Sequence, residues 1–497
     1  MTITAVEPAA APHRAHPAPV RVSVARTPLP PHAPLALATE LRRLLGADQV
    51  FLFESLAGPD EDCRFAAVGA EALARITVRD GQAALDGAPG LVDRLRPLVD
   101  GAAGDVQRLL ETLRGAFAVD TDVPLDSYAF GFLAVLGYEA AWHLEQLPPL
   151  GPGQDPEITL TLFRHVVSYH LGSGESHELR AHAAEFGGPG LLGDRLAGLV
   201  RALPDTAETP PPAAPRPQEV RRTVQREEFT ERVERCLEHI RAGDVYQIQI
   251  GHRIEVTTPL EPLDAYRRLR RSNPSPYMYL VPWAGRTLVG ASPELLLRIE
   301  GRTLAMRPIA GTTARAADPA EDARRVAALH ADEKERAEHI MLVDLCRNDV
   351  ARVSVPGTLA VEQMMEVEHF AQVHHLVSTV SGQLVAAADV FSALRATFPA
   401  GTMTGAPKVR AMELIQEIEG RPRGAYAGAL GLIDLRGQAA TLALCIRTAV
   451  HDPATGTYTL QASAGVVADS SADGEWGETL IKMSAVYSAL TGEVLTA

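Results

Sequence analysis

The chain has 497 residues, which is enough for a large hydrophobic core, and its formal net charge of −15 argues against a general nucleic-acid binder. No apolar run approaches the length of about eighteen residues that a membrane span requires. The four cysteines show no CxxC spacing and follow no secretory leader, which predicts a reduced, cytoplasmic protein.

The amino-terminal part of the chain changes character near Leu35. Residues 1–33 are rich in Ala, Pro and His and lack periodicity, which predicts a disordered tail. Residues 34–203 begin with a short amphipathic helix and continue with apolar strands such as VFLFESL and ITLTLFRHVVSYHL. The Pro-rich residues 204–218 are either a linker or a surface loop. We favour a loop within one large α+β unit, because the flanking strands are too apolar to leave an exposed sheet edge.

Residues 219–497 alternate between helices and strands. REEFTERVERCLEHIRAG has apolar residues at helical spacing and ends at Gly243, and DVYQIQIGHRIEV then alternates as a strand. The Gly-rich turn FPAGTMTGAPK precedes a helix, where backbone N–H groups can meet an anion, although a plain tight turn is the simpler explanation. Three further strands are expected near 426–433, 441–450 and 457–467.

Two pairs of glutamates have the same spacing. Glu335 and Glu338 lie three apart on one face of a predicted helix, and Glu475 and Glu478 repeat the pattern far along the chain, with Lys482 one turn further. Two carboxylate pairs on two helices can form an all-oxygen site for Mg²⁺ with an anionic substrate. The alternative is that both pairs are solvated helix faces, which is the commoner explanation for a single Glu-x-x-Glu.

Arginine and histidine residues add to this pattern. Arg447 lies in the apolar sequence LALCIRTAV, where its guanidinium needs a carboxylate, and a ligand or a structural glutamate would serve equally well. His374 and His375 alternate faces, so one can point into a cleft while the other fills the core. The residues alone predict a Mg²⁺ and carboxylate site with a His and an Arg, and they leave the substrate open.

Together these stretches resemble the chorismate-utilising enzymes, the family of anthranilate synthase component I and of the aminodeoxychorismate, isochorismate and salicylate synthases. The resemblance runs from about Glu228 to Leu490. It is carried by GDVYQ, NPSPYM, GASPE, RPIAGT, ERAEHIMLVDLCRND, HHLVS, PAGTMTGAPKVRAMELI, IRTAV, AGVVADS and GEWGETLIK. It implies an α+β fold, a large two-sheet α/β sandwich of the anthranilate synthase component I type in a single complex domain.

The resemblance also implies roles for individual residues. The metal site would consist of Glu338 and Glu478, which would bind Mg²⁺, with Glu335 and Glu475 close by, and the ion would hold the ring carboxylate of chorismate. Glu294 of GASPE would be the general acid that protonates the departing ring hydroxyl. The other catalytic positions would be Gln247, His375 and Thr402, with His375 at the pyruvyl end. The substrate-binding positions would be Gly311, Thr312, Tyr426, Arg447, Gly465 and Lys482.

Two positions separate the branches of this family. Isochorismate and salicylate synthases have a lysine that activates water where this chain has Gln247. Enzymes that aminate the far ring position through a covalent lysine have RPIKGT, where this chain has Ala310. Without either lysine, amination next to the carboxylate is implied. Because the chain has no glutaminase domain, ammonia is expected from a separate glutamine amidotransferase, in a homo- or hetero-oligomer.

The implied function is Mg²⁺-dependent amination of chorismate at ring C2, followed by pyruvate elimination to anthranilate. One alternative is a 2-amino-2-deoxyisochorismate synthase of secondary metabolism, which retains the enolpyruvyl group, and His375 does not distinguish the two. An alternative of another class is a catalytically silent partner that regulates an amidotransferase or binds a small anion. The presence of the site glutamates, His375 and Arg447 argues against it.

Three departures from the family pattern bear on regulation and pathway. Ala440 replaces a common Asp, Ser463 replaces a common Gly, and RFAAVG at 64–69 replaces RYSFIG. The last segment lies beside FES in a region that resembles a tryptophan feedback site, and it has lost a Ser and a Phe. Weak inhibition by tryptophan is therefore expected, which would suit an enzyme of secondary metabolism.

Overall fold

A computed structural model describes residues 18–496, except 103, 152, 154, 204–209 and 371–372. In chain order, the strands are β1 (Val20–Leu29), β2 (Val50–Glu54), β3 (Phe65–Arg79), β4 (Gln82–Gly87), β5 (Phe117–Asp120), β6 (Gly131–Leu136), β7 (Ile158–His170), β8 (Glu175–His182), β9 (Glu219–Arg222), β10 (Gln247–Thr257), β11 (Tyr277–Trp283), β12 (Arg286–Ser292), β13 (Leu295–Glu300), β14 (Thr303–Met306), β15 (Ile309–Ala314), β16 (Ala360–His369), β17 (Val373–Gln383), β18 (Gly405–Ala406), β19 (Ala429–Asp434), β20 (Ala439–Leu444), β21 (Thr448–Asp452) and β22 (Thr457–Val466). The α-helices are α1 (Pro34–Leu45), α2 (Pro89–Ala102), α3 (Val106–Gly115), α4 (Leu196–Ala202), α5 (Arg226–Ala242), α6 (Pro262–Ser272), α7 (Pro319–Ala331), α8 (Glu333–Ala351), α9 (Val390–Thr397), α10 (Lys408–Glu419) and α11 (Ala472–Thr491).

The strands form one hydrogen-bonded network, in which two long arms and the short branch β8–β1–β5 start from β7. The first arm runs β7–β6–β19–β20–β13–β14–β17, and β15 and β16 also pair with β17. The second arm runs β7–β3–β2–β11–β12–β21–β22–β10, and β9 and β18 also pair with β10.

Strands from both sides of the Pro-rich segment pair with each other. β2 pairs with β11 and β6 pairs with β19, so neither the amino-terminal nor the carboxy-terminal region completes a sheet alone. This pairing confirms the single α+β domain. Residues 210–217 have no regular secondary structure, and residues 204–209 lie outside the described part of the chain.

The prediction of a disordered tail is wrong for residues 20–29. They form β1, which pairs in parallel with β5 and antiparallel with β8. Val20, Val22 and Val24 are buried and alternate with exposed residues, the period of a half-buried strand. The high Pro and Ala content of the flanking sequence concealed this alternation. Residues 1–17 lie outside the described residues.

Helices pack against both arms and shape two hydrophobic cores. α5 has the predicted apolar face, with Phe229, Val233 and Cys236 fully buried, and ends as predicted at Gly243, which has φ +82°. The helix packs on β10. α11 packs on β22 of the second arm, and α8 packs on β15 and β17 of the first arm. Across the described residues, no helix combines the length and apolar character needed to span a membrane.

Candidate active site

Two capped helices position the predicted metal-binding glutamates. The Asp332 side chain accepts hydrogen bonds from the backbone N–H groups of Lys334 and Glu335 at the start of α8. Ser471 caps the start of α11 in the same way, through the N–H of Gly474. These caps fix the first turns, from which the glutamate side chains project.

The glutamates of the two helices interact electrostatically. Burial raises the pKa of Glu335, Glu338 and Glu475, and repulsion by the Glu478 carboxylate raises each further. Asp332 contributes to the shift at Glu335, and Glu335 contributes to the shift at Glu338. The two pairs therefore share one acidic neighbourhood, as the repeated spacing predicted.

The carboxylates of this acidic group are the oxygen ligands that Mg²⁺ prefers. Among the described residues, no three His, Cys, Asp or Glu side chains are grouped closely enough to hold a metal ion by themselves. Mg²⁺ commonly binds one or two carboxylates and completes its octahedron with water and substrate oxygens. Glu475 offers a buried Oε2 without a hydrogen-bond partner, and a cation would relieve the repulsion among the carboxylates.

Gln247 connects β10 to the glutamates. Its Nε2 donates to Oε1 of Glu338 at 2.7 Å, and its Oε1 is buried without a partner. An ionised carboxylate only accepts hydrogen bonds, so the amide nitrogen must face Glu338 and the amide oxygen stays available. Gly465 on β22 lies opposite, where an added Cβ would come within 2.8 Å of Nε2. The absence of a side chain at Gly465 therefore leaves space for the Gln247 amide.

Glu294 is a buried carboxyl group in the turn between β12 and β13. It is 7% exposed, and Oγ1 of Thr402 donates to its Oε1 at 2.9 Å. Burial raises the pKa of Glu294 to about 7, although the Thr402 hydrogen bond and the charge of Lys482 oppose the shift. Near neutral pH this carboxyl group is partly protonated, which is the state that a general acid requires.

His375 pairs with Thr312 across β17 and β15. Its Nδ1 lies 3.1 Å from the carbonyl oxygen of Gly311 and 3.0 Å from Oγ1 of Thr312. Burial lowers the pKa of His375 to about 4, so the imidazole is neutral at neutral pH. A carbonyl only accepts, so Nδ1 carries the hydrogen and Nε2 is left as a base. Gly311 lies at a bulge with φ +68°, and a Cβ there would approach Oε2 of Glu335 to 3.2 Å.

Arg447 and Lys482 form the cationic side of the site, with the neutral Tyr426 beside them. Lys482 Nζ donates to the Ser463 carbonyl at 2.9 Å and to Oε1 of Glu478 at 2.5 Å. Arg447 Nη1 donates to the Lys482 carbonyl at 2.9 Å, and Tyr426 and Glu478 lie within electrostatic reach of its guanidinium. These cations can pair with carboxylates of a substrate.

The expected strand over 441–450 is interrupted at Arg447. β20 ends at Leu444 and β21 begins at Thr448, and Arg447 between them has φ +51°. The left-handed conformation breaks the strand and turns the residue out of the pleated sheet. The sequence pattern, which is apolar on both sides of the arginine, gave no sign of this break.

The structure thus brings the predicted site residues together through contacts and charge interactions. It also shows two polar residues that the sequence did not single out, Gln249 and Arg423. A third, Ser463, was noted only because it departs from the family pattern. The buried Arg423 guanidinium donates to the carbonyls of Met403 and Gln249 and lies 5.8 Å from the Tyr426 ring centroid. Arg423 therefore ties the Thr402 turn and β10 to Tyr426, a role with no local sequence signal.

A separate cavity of about 240 Å³ lies away from these residues. Its lining includes Glu54, Ser55, Ala67, Tyr277 and Met278, which belong to the FES, RFAAVG and NPSPYM segments. None of the predicted catalytic, substrate-binding or metal-binding residues lines it. The molecule thus has a second pocket in the region where a feedback site was expected.

A buried carboxyl group with a raised pKa, two cationic side chains and two acidic helices therefore come together in one region of the molecule. Residues 52–488 match the family described as chorismate binding enzyme, and the chain belongs to this family.

Named proteins of this family resemble the chain over much of its length. A 2-amino-4-deoxychorismate synthase from Streptomyces globisporus is 43% identical over 96% of this chain and 98% of its own length. Anthranilate synthase component 1 from Streptomyces coelicolor is 44% identical over 72% of both chains. The crystal structure of anthranilate synthase component I from Streptococcus pneumoniae superposes with a TM-score of 0.70 at 29% identity, covering 85% of this chain and 92% of that one.

Proposed function

We propose that this protein aminates chorismate at ring C2 and releases the product with its enolpyruvyl group retained. The observation that carries the amination is Gln247, whose Oε1 is buried beside Glu338 and has no partner. A neutral amide oxygen accepts a hydrogen from ammonia but cannot remove a proton from water. Gln247 therefore orients ammonia, whereas a lysine at the same position would act as a base and activate water.

Retention of the enolpyruvyl group is supported by the relative that matches the chain from end to end. Its name describes a chorismate skeleton with an added amino group, so the enolpyruvyl group is kept. The anthranilate synthase component 1 of Streptomyces coelicolor shares a similar identity over a smaller part of the chain. The full-length match therefore supports the 2-amino-2-deoxyisochorismate alternative of the sequence analysis over anthranilate synthesis.

Anthranilate synthesis is the second candidate, supported by the anthranilate synthase component 1 of Streptomyces coelicolor at 44% identity, and His375 is compatible with either product. Pyruvate elimination requires removal of a ring proton, and the neutral imidazole presents an unprotonated Nε2 for that step. Whether this base reaches the ring proton decides between the two products.

Glu294 supplies the proton for the leaving group. As the ammonia nitrogen bonds to C2, the ring double bonds shift and the bond from carbon to the ring hydroxyl breaks. The hydroxyl departs as water with the Glu294 proton, and the resulting carboxylate can take the surplus proton from the new ammonium group. The Thr402 hydroxyl, which donates to Oε1 of Glu294, steadies the carboxylate formed in this step.

The glutamates of α8 and α11 would hold Mg²⁺, with Glu338 and Glu478 as direct ligands and Glu335 and Glu475 close by. When bound, the ion supplies positive charge for the ring carboxylate of chorismate. Arg447 and Lys482 then bind the carboxylate of the enolpyruvyl group, while Gln247 keeps Glu338 oriented.

A separate glutamine amidotransferase would supply the ammonia. Glutamine hydrolysis in such enzymes needs a reactive thiolate, but burial raises the pKa of Cys63 and Cys236 to about 12 and that of Cys346 and Cys445 further still. The designation "component 1" in the names of several relatives supports a second component.

The amination is tested by following chorismate consumption by the purified protein with Mg²⁺ and ammonium at alkaline pH. We expect consumption to require both additions. Consumption that proceeds at the same rate without ammonium would show that water is the nucleophile. If folded protein consumes no chorismate with both present, the chain is the silent partner instead.

A further inference from the structure

Three buried polar side chains form a chain of hydrogen bonds at the cationic side of the site. The Tyr426 hydroxyl lies 2.6 Å from Oγ of Ser463, and Oγ of Ser463 donates to Oε1 of Gln249 at 3.1 Å. Ser463 is 1% exposed, Gln249 is 7% exposed and Tyr426 is 9% exposed, so water does not compete for these bonds. The Ser463 carbonyl also holds Lys482 Nζ.

Counting hydrogens fixes the direction of this chain. Each hydroxyl has one hydrogen to donate. Oε1 of Gln249 only accepts, so it uses the Ser463 hydrogen, and Tyr426 must donate to Ser463. The Gln249 Nε2 points to the other side, 2.9 Å from the position of an added Cβ at Gly465. The Tyr426 hydrogen is therefore used inside this chain of hydrogen bonds, and only the lone pairs of its oxygen remain free.

We infer that Ser463 is a positioning residue that withholds the Tyr426 hydrogen from the substrate. This inference rests on the proposed function, in which Tyr426 lies beside a bound carboxylate together with Arg447 and Lys482. A substrate carboxylate beside Tyr426 would face the lone pairs of the Tyr426 oxygen and would receive no hydrogen bond from it. Only Arg447 and Lys482 would then donate hydrogen bonds to this carboxylate. Without the Ser463 hydroxyl, the Tyr426 hydrogen would turn to the carboxylate and strengthen substrate binding.

The test measures chorismate affinity in two backgrounds. With Mg²⁺ and without ammonium, calorimetry gives the chorismate Kd of the wild type, Ser463→Ala and Ser463→Gly. We expect both variants to bind chorismate about tenfold more tightly, the order of one hydrogen bond to a charged group. With ammonium, KM should fall in parallel while kcat changes little.

A double-mutant cycle separates this role from a packing effect. If the gain comes from the Tyr426 hydrogen, Tyr426→Phe should cost more affinity in the Ser463→Ala background than in the wild type, so that the two substitutions are not additive. Ser484→Ala is the control, because that hydroxyl donates to the Ile481 carbonyl on the exposed side of α11. Circular dichroism confirms that each variant is folded.

An unchanged or weaker chorismate affinity in folded Ser463→Ala overturns the inference. It is equally overturned if Tyr426→Phe weakens binding by the same factor in both backgrounds. Failure of the proposed function has a different signature, because wild-type protein would then neither bind nor consume chorismate.

Discussion

At the scale of single residues, Glu294 and Gln247 have different proposed roles, the first as a proton donor and the second as a hydrogen-bond acceptor for ammonia. Glu294 is buried enough to hold a proton near neutral pH, and Gln247 keeps an acceptor that cannot ionise. Both positions were predictable from sequence motifs. Ser463, Gln249 and Arg423 were not recognised as one network, because their contacts join residues far apart in sequence and depend on strand register.

Replacing Glu294 by Gln removes the general acid without removing the hydrogen-bond acceptor for Thr402. We expect kcat to fall by about 10²- to 10⁴-fold. In the wild type, kcat/KM for chorismate, measured at constant free ammonia, should fall as pH rises through about 7, because Glu294 loses its proton there. The residual kcat/KM of Glu294→Gln should not fall with pH in this range. A wild-type profile that stays flat across this range contradicts the role of Glu294.

The same carboxyl group makes stability depend on pH. Its pKa is about 4.5 when unfolded and about 7 when folded, so it favours the folded state below pH 4.5 and loses this contribution as pH rises through 7. Glu294→Gln should therefore gain stability over the wild type between pH 4.5 and 8, on the order of 3 kcal/mol. Urea unfolding of wild type and variant at pH 4.5 and at pH 8 measures this gain. If the free energy of unfolding differs between the two proteins by the same amount at both pH values, the raised pKa is contradicted.

At the scale of elements, α8 and α11 were predictable because their caps and Glu-x-x-Glu spacing are local. β1 was missed, since its alternation is short and surrounded by Pro and Ala, and the break at Arg447 was missed because nothing in LALCIRTAV favours positive φ. Packing against neighbouring strands decides both features. Local patterns thus located the acidic helices, while tertiary contacts set the strand ends.

Glu338→Gln tests whether α8 and α11 hold a metal between them. Mg²⁺ should raise the Tm of the wild type, because a cation that binds the folded state stabilises it. The variant should lose most of this shift, since the Glu338 carboxylate is gone. Without Mg²⁺ it should unfold no earlier than the wild type, because removal of one buried carboxylate relieves repulsion.

Glu333→Gln is the matched control for this measurement. Glu333 lies in the first turn of the same helix but is exposed, so its loss should leave the Mg²⁺-induced shift in Tm intact. An equal Mg²⁺ shift in wild type and Glu338→Gln would remove Glu338 from the metal site.

At the scale of the whole molecule, the sequence resemblance predicted one α+β domain with two sheets. It could not predict that both long arms branch from β7, because that topology depends on pairings between distant strands. Both arms contribute to the lining of the cavity that contains Glu54 and Tyr277, and both also carry predicted site residues.

We expect tryptophan to inhibit this enzyme weakly or not at all. Ala66 and Ala67 line the second cavity where the family pattern has a Ser and a Phe, so a bound ligand would lose a hydroxyl and an aromatic contact. Initial rates with increasing tryptophan measure this directly. Ala66→Ser/Ala67→Phe should gain sensitivity, whereas strong inhibition of the wild type would contradict the expectation.

The most direct measurement is the mass of the product formed from chorismate, Mg²⁺ and ¹⁵N-ammonium, together with an assay of released pyruvate. We expect a product that carries the labelled nitrogen and still contains the enolpyruvyl group, with no equivalent of pyruvate. Labelled anthranilate with one equivalent of pyruvate would contradict retention and make the protein an anthranilate synthase. A product without the label would contradict the amination itself.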